Sequence, residues 1–233
     1  MEQLDVVNAL LWYAAFIVSV TAHEAAHALA AYLGGDPTAY RAGQVSLNPR
    51  PHMRREPFGM ILVPAFTALT QGWCIGWAST PYDPAWANRY PRRAAWMAAA
   101  GPAANLAIAL AVLLLLRIGL GIEIFGPPEQ ASFSKLVVGD APLSDAVGRL
   151  LSILLVLNVI LFAFNLIPFP PLDGAAAIGL LLPEELALRL RTRLSSPSFA
   201  IFGLLIAWWL FADLIGPLFA LVLRLVHPEF VYG

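Results

Sequence analysis

Charge is what this sequence has least of. Only 12 % of its 233 residues are Asp, Glu, Lys or Arg, where a soluble domain carries roughly 25 %. That deficit, with 59 % hydrophobic residues and a mean hydropathy of +0.72, excludes an ordinary soluble domain and reads as an integral membrane protein. Cysteine is nearly absent. Cys74 stands alone, which excludes an internal disulfide and any cysteine-rich metal site. A cleavable leader is not expected, because Glu2 and Asp5 stand where a basic n-region would be. The apolar run that follows is also too long for a leader's core, so the first span is expected to be retained. No repeat and no low-complexity tract is visible. The net charge of −1 names no partner, and no nucleic acid is expected.

Against this uncharged background one pentapeptide stands out. His23-Glu24-Ala25-Ala26-His27 lies inside the apolar run Asn8 to Leu33. On a helix the two histidines fall at i and i+4, one turn apart on one face. That spacing suits two ligands of one zinc ion, with Glu24 beside it as general base. Ionisable residues at membrane depth are costly and mark function.

The apolar pattern predicts spans at about 8–33, 94–116, 150–167 and 199–226. The stretch 58–77 is apolar too, but Pro64, Gly72 and Gly76 interrupt it. Two arguments make it re-entrant. If it turns back, one side of the membrane holds Arg41, Arg50, Arg54, Arg55, Arg89, Arg92, Arg93, Arg189, Arg191 and Arg193. The other side holds only Arg117, Lys135, Arg149 and Arg224, which is a positive-inside bias. The second argument is depth. His23 and His27 lie late in the first span and Asp173 follows the third, so they meet only if those spans run the same way.

Asp173 closes the stretch Asn165-Leu166-Ile167-Pro168-Phe169-Pro170-Pro171-Leu172-Asp173-Gly174. Three prolines in four positions cannot continue a helix. The backbone is expected to unwind and present Asp173 as the third ligand of an open zinc site. Asn165 could then donate to the oxyanion formed at a scissile carbonyl.

Together with Gly101-Pro102-Ala103-Ala104-Asn105 and Gly43-Gln44-Val45-Ser46-Leu47-Asn48-Pro49, these motifs resemble the site-2 protease family of intramembrane metalloproteases. The resemblance covers roughly residues 15–180. It implies one zinc ion per chain on His23, His27 and Asp173, Glu24 as base, and Asn165 as a substrate or oxyanion contact. It also implies transmembrane protein substrates, and the loop 119–147 has no room for the PDZ domain many members carry. The expected fold is an all-α polytopic membrane protein. A three-helix catalytic core (1–182) carries a short β-strand and re-entrant insertion at 36–93, and residues 183–233 add an interfacial helix and a last span. The chain is expected in the plasma membrane amid lipid, N-terminus outside, site toward the cytoplasm; its oligomeric state is open.

Substrate is expected to add to sheet edges at Gln44–Asn48 and Gly76–Thr80. Val45, Leu47, Trp77 and Ser79 would touch it, with Asn105 as a further contact. Asn158 reads as an interhelical hydrogen bond, and His52 as a surface residue. Two other function classes stay open. One is a metal transporter of the ZIP type, which also places His and Glu at i, i+4. The other is an inactive zinc-binding scaffold.

Overall fold

The structure is a computed structural model that describes residues 5–194 and 197–229. Four of its helices are long and apolar enough to cross a membrane: α1 (Val6–Leu33), α6 (Pro91–Gly121), α7 (Pro142–Asn165) and α10 (Pro197–Val226). Shorter helices fill the loops: α2 (Thr38–Arg41), α3 (Pro49–Arg55), α4 (Val63–Gln71), α5 (Pro84–Arg89), α8 (Gly174–Ala177) and α9 (Glu184–Leu194).

Local chemistry sets most boundaries. Asp5 caps α1 by accepting from the Asn8 amide at 2.9 Å, and Gly35 takes φ 97° just after its end, a backbone that favours glycine. Pro91 and Pro142 sit in the first turns of α6 and α7, where a missing N–H costs nothing.

Helices α1, α6 and α7 pack into one bundle. Trp12, Ala15, Phe16 and Val20 of α1 bury against Ile153 and Leu157 of α7 and Met60. Ala109, Val112 and Leu116 of α6 bury against Leu155 and Val156 of α7 and Val222 of α10.

The apolar stretch after α3 folds as a hairpin along α1. It opens with a π-helical turn, Phe58–Leu62, and continues as α4. Pro64 explains the turn: it cannot donate to the Met60 carbonyl and its ring crowds that oxygen. The Tyr13 hydroxyl donates to Met60 O instead, at 3.2 Å. Gly72, at φ 74°, ends α4 and accepts from the Asn8 side chain at 3.1 Å, near the start of α1.

The chain then returns in extended form beside α1. Gly76 packs on Phe16, Thr80 bonds Glu24, and the Asp83 amide donates to the Asp36 carboxylate at 2.7 Å. The register is self-consistent. Each step of four extended residues covers about 13 Å, and each step of eight helical residues about 12 Å. The returning limb therefore runs beside α1 from its N-terminal end toward its C-terminal end.

The strands expected at 44–48 and 76–80 are not there. Gln44 to Asn48 forms successive turns, because the Ser46 hydroxyl accepts from the Asn48 amide and Asn48 caps α3. Residues 76–80 are extended but unpaired; the Trp77 amide donates to Gly59 O, a helix carbonyl, at 3.1 Å. Among the described residues the one sheet is elsewhere, an antiparallel pair of β1 (Phe125–Gly126) and β2 (Val138–Gly139) in the 122–141 loop. His52 is buried, not on the surface, with Nε2 at 3.0 Å from Ser46 O.

Candidate metal centre and catalytic site

The helical spacing of α1 does what the pentapeptide promised. His23 and His27 lie on one buried face, rings edge to face with centroids 4.6 Å apart. Helix α6 orients both rings. His23 Nδ1 donates to the Asn105 side-chain oxygen at 2.6 Å, and His27 Nδ1 donates to Met97 O at 2.7 Å. With each Nδ1 proton so used, each Nε2 keeps a lone pair, as metal-binding histidines require. The two Nε2 atoms face one another at 3.0 Å.

The third atom comes from the far side. Helix α7 ends at Asn165 and the chain tightens through turns, with Phe169 N bonded to Ile167 O at 2.8 Å and Leu172 N to Phe169 O at 3.0 Å. Asp173 then starts α8, its carbonyl accepting from Ala176 and Ala177. Gly174 permits this fold-back, since a Cβ there would lie 2.4 Å from Leu166 O. Asp173 Oδ2 ends 3.1 Å from His23 Nε2 and 3.3 Å from His27 Nε2.

Three acceptor atoms thus converge, and the buried Asp173 Oδ2 receives no hydrogen bond. Lone pairs at 3 Å repel unless a proton or a metal cation sits among them. A tetrahedral zinc ion with bonds of about 2.0–2.2 Å separates its ligand atoms by about 3.3 Å, close to the triangle seen. Gly101 keeps the space clear: a Cβ there would fall 2.3 Å from His27 Nε2 and 2.6 Å from His23 Nε2. The donor set and the clearance fit one divalent metal ion. Among the described residues this is the one His/Asp/Glu/Cys group arranged to hold one.

Sequence similarity points the same way. Residues 12–206 match peptidase family M50, the site-2 protease family. The chain belongs to that family. A protein of Bacillus subtilis (strain 168) named "Putative zinc metalloprotease YwhC" is 35 % identical over 187 residues, covering 80 % of this chain and 75 % of the relative. No solved structure matches the chain.

The other expected residues of this M50 member are placed as follows. Glu24 is buried, and its Oε2 lies 2.7 Å from the Thr80 hydroxyl, which is also 2.9 Å from Glu24 O. Thr80 was not singled out from the sequence. Its only signal there was a polar Ser-Thr-Pro break after Gly76. Asn105 is fully buried, with one end on His23 and its amide donating to Asn158 Oδ1 at 2.8 Å. Both ends of its side chain are engaged within the protein in this structure. Asn165 is half-buried, and its amide donates to Leu161 O on its own helix at 3.0 Å.

Trp77 is exposed and Ser79 lies on the returning segment. The Ser79 hydroxyl donates to Glu56 at 2.5 Å, and Arg55 donates to Ser79 O at 3.1 Å. Val45 is half-buried and Leu47 is 75 % exposed, both on turns and not on a sheet edge.

Proposed function

We propose that this M50 protein is an intramembrane zinc endopeptidase that hydrolyses peptide bonds in or near transmembrane segments of other proteins. The observation that carries it is the convergence of His23 Nε2, His27 Nε2 and Asp173 Oδ2 beside the buried carboxylate of Glu24. Those three residues would hold zinc. When bound there, zinc supplies a Lewis acid that lowers the pKa of a coordinated water and polarises a carbonyl.

The chain's own residues do the rest. Glu24 takes the proton of the attacking water and delivers it to the leaving amide nitrogen. Thr80 holds the Glu24 carboxylate in one orientation through its hydroxyl. Asn165 turns its amide from Leu161 O to the oxygen on which negative charge develops. Burial of the site excludes bulk water, which strengthens each of these interactions.

A substrate helix must unwind to reach this site. The extended return of the hairpin, ending at Thr80 beside Glu24, offers backbone along which an unwound segment can pair, with Trp77 and Ser79 at its flank. Proline at position 78 should cut turnover of a peptide substrate and leave bound zinc unchanged; unaffected turnover removes this docking route. The hairpin geometry and the arginine bias support an orientation with the N-terminus outside and the site toward the cytoplasm of the plasma membrane.

The test of the reaction is Glu24→Gln. Wild type and variant are purified, their zinc is measured, and each is incubated with a membrane-segment substrate. Zinc in both and cleavage only by the wild type is expected, with a loss of at least about a thousandfold. Cleavage surviving in the variant sinks the mechanism. Ion flux into vesicles without peptide products would establish a transporter instead.

A further inference from the structure

Helices α1, α6 and α7 are joined by a chain of buried polar side chains that reaches well beyond the metal centre. Ser19, Asn105 and Asn158 are each fully buried. His23 Nδ1 meets Asn105 Oδ1 at 2.6 Å, Asn105 Nδ2 meets Asn158 Oδ1 at 2.8 Å, and Asn158 Nδ2 meets both Ser19 Oγ and Leu154 O at 2.8 Å. Ser19 Oγ in turn lies 2.7 Å from Ala15 O. The chain closes a ring, because Ser19 and His23 are one turn apart on α1.

The direction of every bond in this chain is fixed from its far end. Ala15 O and Leu154 O are backbone carbonyls and can only accept. Ser19 must therefore spend its one proton on Ala15 O and offer Asn158 a lone pair. Asn158 must aim its NH2 at Ser19 and Leu154, which leaves its oxygen toward Asn105. Asn105 must then turn its NH2 to that oxygen and its own oxygen to His23. His23 can satisfy an oxygen only with a proton on Nδ1, and Nε2 keeps its lone pair.

We propose that Asn158 is a positioning residue for the metal centre: it locks the amide of Asn105, and thereby the proton of His23 onto Nδ1. The hydrogen bonds of Asn158 go to Asn105, Ser19 and Leu154 O and not to His23 or Asp173; it acts through Asn105. Without the Asn158 oxygen, the Asn105 amide is free to turn over and donate to His23 Nδ1. The histidine then carries its proton on Nε2, the nitrogen that faces Asp173 and His27. The helix pairing at α6–α7 thus decides whether α1 can bind a metal. In its consequence for zinc the proposal rests on the function proposed above; in its statement about the His23 proton it does not.

Three variants and one direct measurement test it. The wild type without metal, labelled with 15N-histidine in lipid at pH 8, should show His23 protonated on Nδ1. In Asn158→Leu a population protonated on Nε2 should appear, and zinc affinity by chelator competition should fall about 10- to 100-fold. Asn158→Asp, protonated when buried, retains an acceptor for Asn105 and a donor for Ser19, so its zinc affinity should stay within about threefold of wild type. Ser152→Ala is the control. Ser152 is equally buried on α7 but bonds Gly148 O and the Leu136 amide, outside the chain. It should lower thermal stability and leave zinc affinity unchanged.

A bare Nδ1 in the wild type overturns the proposal. So does wild-type zinc affinity in Asn158→Leu, or an equal fall in Asn158→Leu and Ser152→Ala. If Asn158→Leu does not fold, the wild-type tautomer and the Asn158→Asp affinity still decide. If the wild type binds no zinc while His23 shows the Nδ1 proton, the metal reading fails and the locking of Asn105 stands.

Discussion

Helices α1 and α10 are alike in length, with 28 and 30 residues, and both are apolar enough to cross a membrane, yet they have opposite surroundings. In α1, 44 % of the most apolar stretch is buried inside the protein; in α10 only 11 % is. Helix α1 turns Ser19, His23, Glu24 and His27 inward and meets α6, α7 and the hairpin. Helix α10 shows Ile201, Phe202, Leu205, Trp208 and Trp209 to its surroundings, each well over half exposed. Hydrophobicity therefore says that a helix enters the membrane, and the polar residues it hides say what it packs against. Near its start α10 reaches toward the site: a Cβ on Gly203 would lie 1.8 Å from the Pro170 carbonyl, in the loop that carries Asp173.

The largest effect should come from the face turned to α1. Gly101→Ala thrusts a methyl group against both Nε2 atoms. Zinc content should drop below a tenth of wild type in the purified protein, and full occupancy would show that the histidines are not confined as described. Next is Thr80→Val, which frees the Glu24 carboxylate while keeping side-chain volume. A hydrogen bond to a charged group contributes about 1.5–3 kcal/mol, so kcat should fall roughly tenfold to a hundredfold with zinc retained. An unchanged kcat would remove Thr80 from the catalytic arrangement.

On the α10 side, Gly203→Ala should push the helix off the Pro170 loop and lower stability by about 1–3 kcal/mol, read as a lower Tm in detergent. Stability equal to wild type would mean the contact is not tight. At the end of α1, Asp36 gives a pH signature. Burial alone would raise its carboxyl pKa, but hydrogen bonds from the Thr38 hydroxyl, the Asp83 amide and the Thr38 amide, with Arg41 nearby, hold it below the usual range. A lowered folded pKa means its stabilisation is complete above the unfolded value near about 3.9 and is lost as pH falls through the lower folded value. Asp36→Asn should therefore lower Tm at pH 6 and converge with wild type in strong acid. The smallest effect is expected for Trp208→Leu, within about 0.5 kcal/mol, because its side chain packs on little of the protein. A large loss there would erase the contrast between the two helices.

Much of this was legible in the order of residues, for reasons that can be named. The i, i+4 geometry of a helix holds wherever the helix packs, so His23 and His27 had to share a face. Prolines 168, 170 and 171 break a helix by covalent structure, so a turn before Asp173 was forced. Gly101 was legible as part of a motif but not as the clearance beside two imidazoles. The strands expected at 44–48 and 76–80 failed because five residues carry little pattern of their own. At Ser46 and Asn48, side chains bonding the local backbone outcompeted a ladder. Asn105 was legible as a buried polar residue, but its partners His23 and Asn158 were not, because sequence shows polarity and not contacts.

By itself, then, the sequence determined the membrane class, the spans, the helix face shared by His23 and His27, and the breaks, since these follow from hydropathy and from backbone chemistry that acts over a few residues. Tertiary structure alone decided which atoms meet. It brought Asp173 across some 150 residues to the histidines, laid Thr80 on Glu24, and joined His23 to asparagines on two other helices. Such bonds depend on distance and direction in space, and no local pattern in a chain encodes either.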